Sequence, residues 1–233
     1  MAETFDVTST DGVLDGLRAA RAALGRGELV VMPTDTVYGL AADAFTPSAV
    51  AALVAAKGRT LASPPPVLIP DLATLDALAE TVPDAVRTLV TELWPGPLTV
   101  ILAARSSLDW ELGETRGTVA LRLPDDPVAR QLLKDVGPLA VSSANHTGQA
   151  PATSGAEAVA ALGDAVAVVL DGGPRGGVPS TIIDATGLSR PEGQLRIVRD
   201  GIVPAQRIAD LVAGTATVQG VDGATIAPAG GAA

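Results

Sequence analysis

Small polar residues stand at the ends of three apolar strand patterns in this chain, and their side chains could bind a polar small molecule. The stretches are "PTDT" (33–36), "SSAN" (142–145) and "STIID" (180–184). In an open α/β sheet, ligands bind where strands end, and hydroxyls, amides and backbone groups can hold them there. The alternative for any one stretch is a turn in which the side chains satisfy their own backbone. Together the three stretches favour a pocket.

The cations of "KGR" give a second candidate site. Lys57 lies in the last turn of a predicted helix over 48–59, and it and Arg59 could grip phosphate oxygens. The alternative is that they offset the helix dipole while Gly58 ends the helix. Arg122 ends an apolar strand, where a partly buried guanidinium needs a carboxylate or phosphate partner. In "LRIVRDG", strand alternation places Arg196 and Arg199 on opposite faces of the sheet.

Composition excludes several other chemistries. The chain has no cysteine and a single histidine, His146, which rules out thiolate metal sites and argues against a histidine triad. A net charge of −10 argues against a nucleic-acid-coating protein. Two Phe, two Trp and one Tyr are too few for a base-stacking platform. "DGGPRGG" matches neither the P-loop nor the dinucleotide fingerprint.

Apolar strand patterns alternate with helical patterns along most of the 233 residues. This predicts an α/β fold with a mixed, twisted sheet and flanking helices. We expect one domain over 1–212 and a Gly/Ala-rich flexible tail over 213–233. No apolar run reaches the roughly 18 residues of a membrane span and no signal peptide is visible, so a cytoplasmic location is the default expectation.

The stretches "PTDTVYGL", "KGR", "WPGPLT", "RLP", "SSAN" and "STIID" resemble, in order and spacing, the YrdC/Sua5/TsaC family over roughly residues 10–212. These are threonylcarbamoyl-AMP synthases, which combine L-threonine, bicarbonate and ATP into threonylcarbamoyl-adenylate and pyrophosphate. A partner complex then modifies adenosine 37 of tRNA to N6-threonylcarbamoyladenosine (t6A). The resemblance implies an open, twisted α/β fold with a large concave cavity, in the single-domain TsaC-like form.

The resemblance also implies a role for each matching residue. Lys57 and Arg59 would act in catalysis, and the cavity would also admit Mg²⁺ bound through phosphates rather than through protein side chains. The residues implied for ATP are Lys57, Arg59, Thr118, Ser143, Asn145 and Arg199. Those implied for threonine are Thr34, Thr36, Arg122 and Ser180. We expect these side chains to line one cleft.

The chain departs from the family pattern in the 60–68 loop, where Thr60, Pro65 and Leu68 replace the usual Pro, Leu and His. Gln149 stands where some relatives have Arg. Two other functions stay open. One is a non-catalytic module that binds double-stranded RNA or tRNA or acts in ribosome maturation. The other is a different carbamoyl- or phosphate-handling enzyme on the same fold, for which only Asp35 and Asp43 would offer nearby acidic ligands.

Overall fold

The computed structural model of the protein describes residues 2–190 and 193–229. The chain forms two compact units, each assembled from three separate segments. The first unit comprises Met1–Pro70, Asp109–Arg116 and Pro124–Gly177, and the second comprises Asp71–Leu108, Gly117–Leu123 and Val178–Ala233.

The described residues contain short strands, α-helices and two single-turn 3₁₀ helices (Gly163–Ala165 and Thr186–Ser189). The strands are β1 (Glu3–Asp6), β2 (Val30–Met32), β3 (Gly39–Asp43), β4 (Val67–Leu68), β5 (Leu98–Ala103), β6 (Thr118–Arg122), β7 (Leu139–Ser143), β8 (Val168–Asp171), β9 (Thr181–Asp184), β10 (Gln194–Arg199), β11 (Thr217–Gln219) and β12 (Thr225–Ile226). The α-helices are α1 (Thr10–Gly25), α2 (Pro47–Ala56), α3 (Leu72–Leu78), α4 (Asp84–Leu93), α5 (Pro127–Val136), α6 (Gly155–Leu162) and α7 (Ala205–Leu211).

The first unit is a mixed sheet in the order β1-β8-β2-β3-β7-β4, with helices on both faces. β1 and β2 pair parallel with β8, whereas β3, β7 and β4 continue the sheet in antiparallel pairs. Because successive side chains of a strand point to opposite faces of the sheet, the core consists of two clusters, one on each face. Met32 packs into a cluster with α1 and α5, and its neighbour Val31 packs into another with α2 and α6. Burial on both sides fixes the register of these strands.

The second unit contains a sheet in the order β6-β5-β9-β10-β11-β12. β5 lies in its interior, antiparallel to β6 and parallel to β9. α4 contacts both β5 and α7, and its buried residues Val86, Leu89 and Val90 lie on one side of the helix. The pairing of β9 with β10 shifts register between Ile197 and Arg199, which indicates a β-bulge.

The mixed sheets with flanking helices confirm the predicted α/β class. The helix predicted over 48–59 forms as α2, which ends at Ala56. β1 and β3 had no strand signal, because β1 is mostly exposed and β3 ("GLAAD") is built from small residues. Among the described residues, no helix is long and apolar enough to cross a membrane.

The stretch predicted as a flexible tail contains β11 and β12. β11 pairs parallel with β10, and its central residue Val218 is 1% exposed. The described part of this stretch therefore continues the second sheet. Residues 230–233 lie outside the described residues, and the domain boundary predicted at residue 212 stays a prediction.

We expect the core of the first unit to be sensitive at Leu53, a residue of α2 that is 1% exposed. Leu53→Ala should lower the free energy of unfolding by about 2–5 kcal/mol, through lost burial and a residual cavity. Leu14→Ala, at a leucine of α1 that is 60% exposed, is the matched control and should change it by less than about 0.5 kcal/mol. Urea unfolding followed by circular dichroism measures both. Equal midpoints for the two variants would contradict this packing.

Candidate functional site

The loop 33–38 joins β2 to β3, which pair as an antiparallel hairpin. Thr34 and Thr36 are both buried in it. The Thr34 hydroxyl donates to the Val37 carbonyl at 2.6 Å and accepts from the Thr36 and Val37 amides at 3.2 and 3.3 Å. The two threonine hydroxyl oxygens lie 2.9 Å apart. These bonds satisfy the backbone of the turn, so the polar residues between two buried strands have a structural role in the hairpin.

Lys57 follows the last turn of α2, and the backbone around it forms a Schellman motif. The Gly58 amide donates to the Ala55 carbonyl at 2.8 Å and the Arg59 amide to the Val54 carbonyl at 3.1 Å. Gly58 has a φ of +62°, the left-handed conformation that this motif requires and that glycine adopts without strain. Backbone groups alone therefore end the helix. The side chains of Lys57 and Arg59 are left for other contacts.

The Lys57 side chain is only 1% exposed, and its ammonium group contacts the end of β7. It donates to the carbonyls of Ser143 and Asn145 and, at 2.9 Å, to the Asn145 side-chain oxygen. The Ser143 hydroxyl lies farther away, at 3.4 Å. An ammonium group has three N–H donors, and three close acceptors face it here. The strand end "SSAN" is thereby bound to the end of α2.

Burial, and to a smaller degree the charge of Arg59, lowers the pKa of the Lys57 ammonium from 10.5 to about 8. At pH 7 the group is still mostly protonated. Its carbonyl and amide acceptors favour that charged form, because they accept hydrogen bonds from it. The first unit therefore holds a buried positive charge beside Ser143.

Asn145 is buried and uses its whole side-chain amide within the protein. Its oxygen accepts from Lys57, and its nitrogen donates to the carbonyls of His146 and Gln149 at 3.0 and 2.7 Å. These partners fix which way the amide points. Asn145 therefore joins the Lys57 ammonium to the loop 145–149.

Arg59 is exposed, unlike Lys57. Its Nε donates to the hydroxyl of Thr147 at 3.0 Å. That hydroxyl donates in turn to the Lys57 carbonyl at 2.8 Å, and the Thr147 amide donates to the same carbonyl at 3.2 Å. Thr147 thus contacts the backbone carbonyl of Lys57 and the side chain of Arg59. No signal in the sequence marks Thr147, because its partners lie almost 90 residues earlier in the chain.

Tyr38, at the end of the hairpin loop, supports a second loop of the first unit. Its hydroxyl lies 2.8 Å from an Asp171 carboxylate oxygen and 2.7 Å from the Gly173 carbonyl, and accepts from the Gly172 amide at 3.0 Å. Burial, together with the Asp171 carboxylate, raises the pKa of the Tyr38 hydroxyl well above its usual value. The guanidinium of Arg175 lies over the ring at 5.8 Å from its centre.

Arg175 also pairs with the buried carboxylate of Asp126 at 2.9 Å. Asp126 caps α5 by accepting from the Val128 and Ala129 amides, each at 2.9 Å. Burial raises the pKa of the Asp126 carboxyl, although Arg175 and the two amides act in the opposite direction. The "DGGPRGG" loop is therefore held in place by ion pairing and hydrogen bonds.

In the second unit, Ser180 and Arg199 lie in direct contact. Arg199 donates to the Ser180 carbonyl through Nε at 3.1 Å and Nη2 at 2.7 Å, and Nη2 also lies 3.0 Å from the Ser180 hydroxyl. The buried hydroxyl of Thr99, on β5, is 2.8 Å from that of Ser180. Thr99 is a second residue that the sequence analysis missed, because a threonine in an apolar strand is ordinary.

Thr118 and Arg122 are the first and last residues of β6. Four positions apart on a strand, they lie on the same face of the sheet. Arg122 is 6% exposed, and its Nε donates to the Gly96 carbonyl at 3.0 Å. The "WPGP" turn therefore provides a backbone carbonyl partner for this guanidinium. The carboxylate or phosphate partner expected from the sequence stays a prediction.

Within the first unit the structure brings Lys57 to Ser143 and Asn145, links Arg59 to them through Thr147, and joins Thr34 to Thr36. Within the second it joins Ser180 to Arg199. The functional roles assigned to these residues and their predicted convergence stay predictions. In the described ranges, 2–190 and 193–229, no group of three or more His, Asp or Glu side chains could hold a metal ion.

Comparison with known proteins identifies the family. The Sua5/YciO/YrdC family model, described as "Telomere recombination", matches residues 22–201. The chain belongs to the Sua5/YciO/YrdC family. This confirms the resemblance predicted from the sequence.

Two curated relatives illustrate the similarity to this family. A Mycobacterium tuberculosis H37Rv protein, provisionally named a threonylcarbamoyl-AMP synthase, is 45% identical over 227 residues, which are 97% of this chain and 99% of that protein. The Bacillus subtilis threonylcarbamoyl-AMP synthase is 39% identical over 196 residues, which are 81% of this chain and 57% of that one.

A solved member of the Sua5/YciO/YrdC family also has this fold. The crystal structure of Sua5 from P. abyssi complexed with L-threonine matches with a TM-score of 0.78 and 31% identity. The match covers 87% of this chain and 58% of that one. The α/β fold predicted for this family member is thus found in an experimental relative.

The buried ammonium of Lys57 predicts a pH dependence of stability in this Sua5/YciO/YrdC protein. In the unfolded chain its pKa is near 10.5, so between about pH 8 and 10.5 the unfolded state binds more protons than the folded state. The contribution of Lys57 to the free energy of unfolding should therefore rise with pH across this window. At about 1.4 kcal/mol for each pKa unit, the rise reaches roughly 3 kcal/mol.

Lys57→Met removes the titrating group and serves as the reference for this measurement. The unfolding free energy of the wild type minus that of Lys57→Met should become more positive from pH 8 to pH 10.5, because only the wild type contains the shifted group. The other ionisable groups are common to both proteins and cancel in the comparison. Urea unfolding at several pH values measures it. A difference that stays constant over this range would show that the pKa of Lys57 is not lowered.

Proposed function

We propose that this chain is an L-threonylcarbamoyladenylate synthase, a nucleotidyltransferase. It combines L-threonine, bicarbonate and ATP into threonylcarbamoyl-adenylate and pyrophosphate for t6A biosynthesis. The observation that carries this proposal is the 45% identity, over almost the whole of both chains, to a relative named for this activity. The names of the curated relatives favour the synthase over the RNA-binding module.

Arg59 is proposed to bind the phosphates of ATP directly. It is exposed, and its one side-chain bond within the described part of the chain uses Nε. The terminal nitrogens, Nη1 and Nη2, are thus available to two oxygens of one phosphate group, the geometry for which a guanidinium is suited.

Lys57 is proposed to act on ATP chiefly through its charge. Its N–H donors already face the acceptors at Ser143 and Asn145, so a direct bond to a phosphate would require exchange of one of these contacts. In a poorly solvated position a fixed charge stabilises a nearby anion more strongly than in water. Ser143 and Asn145, proposed as ATP-binding residues, are the same residues that hold this ammonium.

In the second unit, Thr118 and Arg199 are proposed to bind ATP, and Arg122 and Ser180 to bind threonine. Arg122 has the chemistry for the amino-acid carboxylate, because its Nε is fixed by the Gly96 carbonyl and the planar guanidinium is thereby oriented. Thr34 and Thr36 of the first unit are also proposed as threonine-binding residues. For Thr34 the backbone amide, carbonyl or methyl would be involved, because its hydroxyl proton is donated to Val37.

The reaction needs alignment and charge neutralisation more than a covalent nucleophile. The neutral amine of threonine combines with bicarbonate to give a carbamate and water. A carbamate oxygen then attacks the α-phosphorus, a new oxygen–phosphorus bond forms, and the bond to pyrophosphate breaks. The cations of the chain would stabilise the charge on the phosphates as pyrophosphate leaves.

Mg²⁺ is part of this proposal. The ion is proposed to be held mainly by phosphate oxygens and water rather than by protein side chains. When bound, Mg²⁺ would neutralise phosphate charge. We also propose that the product passes to a transferase complex that modifies tRNA, in the cytoplasm. Direct contact of this chain with tRNA stays a prediction.

The proposed activity predicts a product that depends on every substrate. Incubation with ATP, Mg²⁺, bicarbonate and L-threonine should give pyrophosphate and a threonylcarbamoyl-adenylate detectable by mass spectrometry. Omitting threonine or bicarbonate, or adding excess EDTA, should abolish it. Replacing threonine with serine tests whether the enzyme with its altered 60–68 loop still selects threonine over serine. No threonine-dependent adenylate in the complete mixture would refute the proposed function.

The two cations predict different consequences of mutation. Arg59→Ala should lower kcat/KM by about 30-fold or more, the equivalent of roughly 2 kcal/mol for a charge-assisted contact, with little loss of stability. Lys57→Ala should lower both activity and the unfolding midpoint, because it leaves buried acceptors at Ser143 and Asn145 without their donor.

Arg18→Ala is the matched control for these variants. Arg18 is an exposed arginine that pairs with a surface aspartate, Asp15, three residues away on α1. Its removal should leave both activity and stability nearly unchanged. Near-normal activity of Arg59→Ala would refute the proposed phosphate contact and would favour the alternative that Arg59 only offsets the helix dipole.

A further inference from the structure

The hydroxyl of Thr147 has a fixed direction. The Lys57 carbonyl can only accept a hydrogen bond and the Arg59 Nε–H can only donate one. The hydroxyl proton therefore points to the Lys57 carbonyl, 2.8 Å away, and a lone pair of the oxygen faces Arg59, 3.0 Å away. The hydroxyl thus donates to a backbone carbonyl and accepts from a guanidinium, and these two roles cannot be exchanged.

The position of Thr147 is itself fixed by neighbouring contacts. Its amide donates to the same Lys57 carbonyl at 3.2 Å. Asn145, two residues earlier, accepts from the Lys57 ammonium and donates to the carbonyls of His146 and Gln149. The loop 145–149 and the segment 57–59 therefore form one hydrogen-bonded arrangement. Through its hydroxyl, Thr147 connects this arrangement to the side chain of Arg59, which is otherwise exposed to solvent.

The hydrogen bond that Arg59 donates to Thr147 determines which nitrogens of Arg59 remain available. Because the Nε–H is donated to Thr147, the guanidinium plane is restrained, and Nη1 and Nη2 make no side-chain bond of their own within the described part of the chain. Long side chains lose conformational entropy when they are ordered, and an arginine ordered before a ligand arrives loses less of it on binding. Such an arginine is prepared to bind an oxyanion through two parallel bonds.

We propose that Thr147 is a positioning residue for ATP binding, which acts by orienting Arg59 toward a phosphate group. This inference rests on the proposed function for the identity of the ligand. It predicts that the hydroxyl, rather than the size of the side chain, is what matters at position 147. Valine has nearly the same shape as threonine but lacks the hydroxyl, and serine keeps the hydroxyl but lacks the methyl group.

The test compares Thr147→Val, Thr147→Ser, Arg59→Ala and the double variant Thr147→Val with Arg59→Ala. Titration calorimetry with ATP and Mg²⁺ gives the affinity, and steady-state assays give KM for ATP and for L-threonine. Thr147→Val should weaken ATP binding by about three- to tenfold, the range expected for one lost hydrogen bond. KM for threonine should stay within about twofold, and Thr147→Ser should bind ATP nearly as the wild type does.

The double variant separates positioning from a merely structural role. Once Arg59 is absent, removing the Thr147 hydroxyl should cause no further loss of ATP affinity. Thr215→Val is the matched control: this exposed threonine also donates its hydroxyl to a backbone carbonyl, that of Val212 at 2.9 Å, and its loss should leave ATP affinity unchanged. Circular dichroism and thermal unfolding establish that each variant is folded.

The outcomes distinguish this inference from the proposed function. Wild-type affinity in Thr147→Val, or an equal loss of affinity with and without Arg59, would overturn the positioning role while leaving the synthase activity in place. Conversely, a wild type that binds ATP but forms no threonylcarbamoyl-adenylate would end the proposed function. The positioning role would then still be supported if Thr147→Val weakened ATP binding only when Arg59 is present.

Discussion

The buried ammonium of Lys57 is the constraint on which the first unit's candidate site depends. A positive charge that is 1% exposed requires close acceptors, and the chain supplies them at the end of β7 through two carbonyls and the side chain of Asn145. Meeting this requirement binds the end of a helix to the end of a strand far away in sequence. It also orders the loop that follows, because Asn145 uses its remaining donors on His146 and Gln149.

The candidate residues of the second unit are organised by backbone groups in the same manner. Arg122 is fixed by the Gly96 carbonyl and Arg199 by the Ser180 carbonyl. In each case guanidinium nitrogens donate to main-chain carbonyls, which restrains the orientation of the planar group.

Part of this arrangement could be predicted from the sequence. The polar strand ends and the helix stop at Gly58 have local signatures, and the two explanations of "KGR" turn out to be compatible. The backbone ends the helix, and the side chains contact other groups. Two of the three acceptors of Lys57 had no such signature, because they are main-chain carbonyls brought near by the fold. The bulge between Ile197 and Arg199 interrupts the strand alternation from which opposite faces were predicted for Arg196 and Arg199. Thr99 and Thr147 depend on neighbours distant in sequence.

Tyr38 gives the protein a built-in spectroscopic reporter. It is the chain's single tyrosine, and its hydroxyl is enclosed by Asp171, Gly172 and Gly173. Any tyrosinate absorbance that develops in alkaline solution therefore comes from one known position. Because burial and the adjacent carboxylate disfavour the phenolate, that absorbance should appear only when the loop after β8 opens. Ultraviolet absorbance alone can thus follow a local opening of the first unit, without an added label.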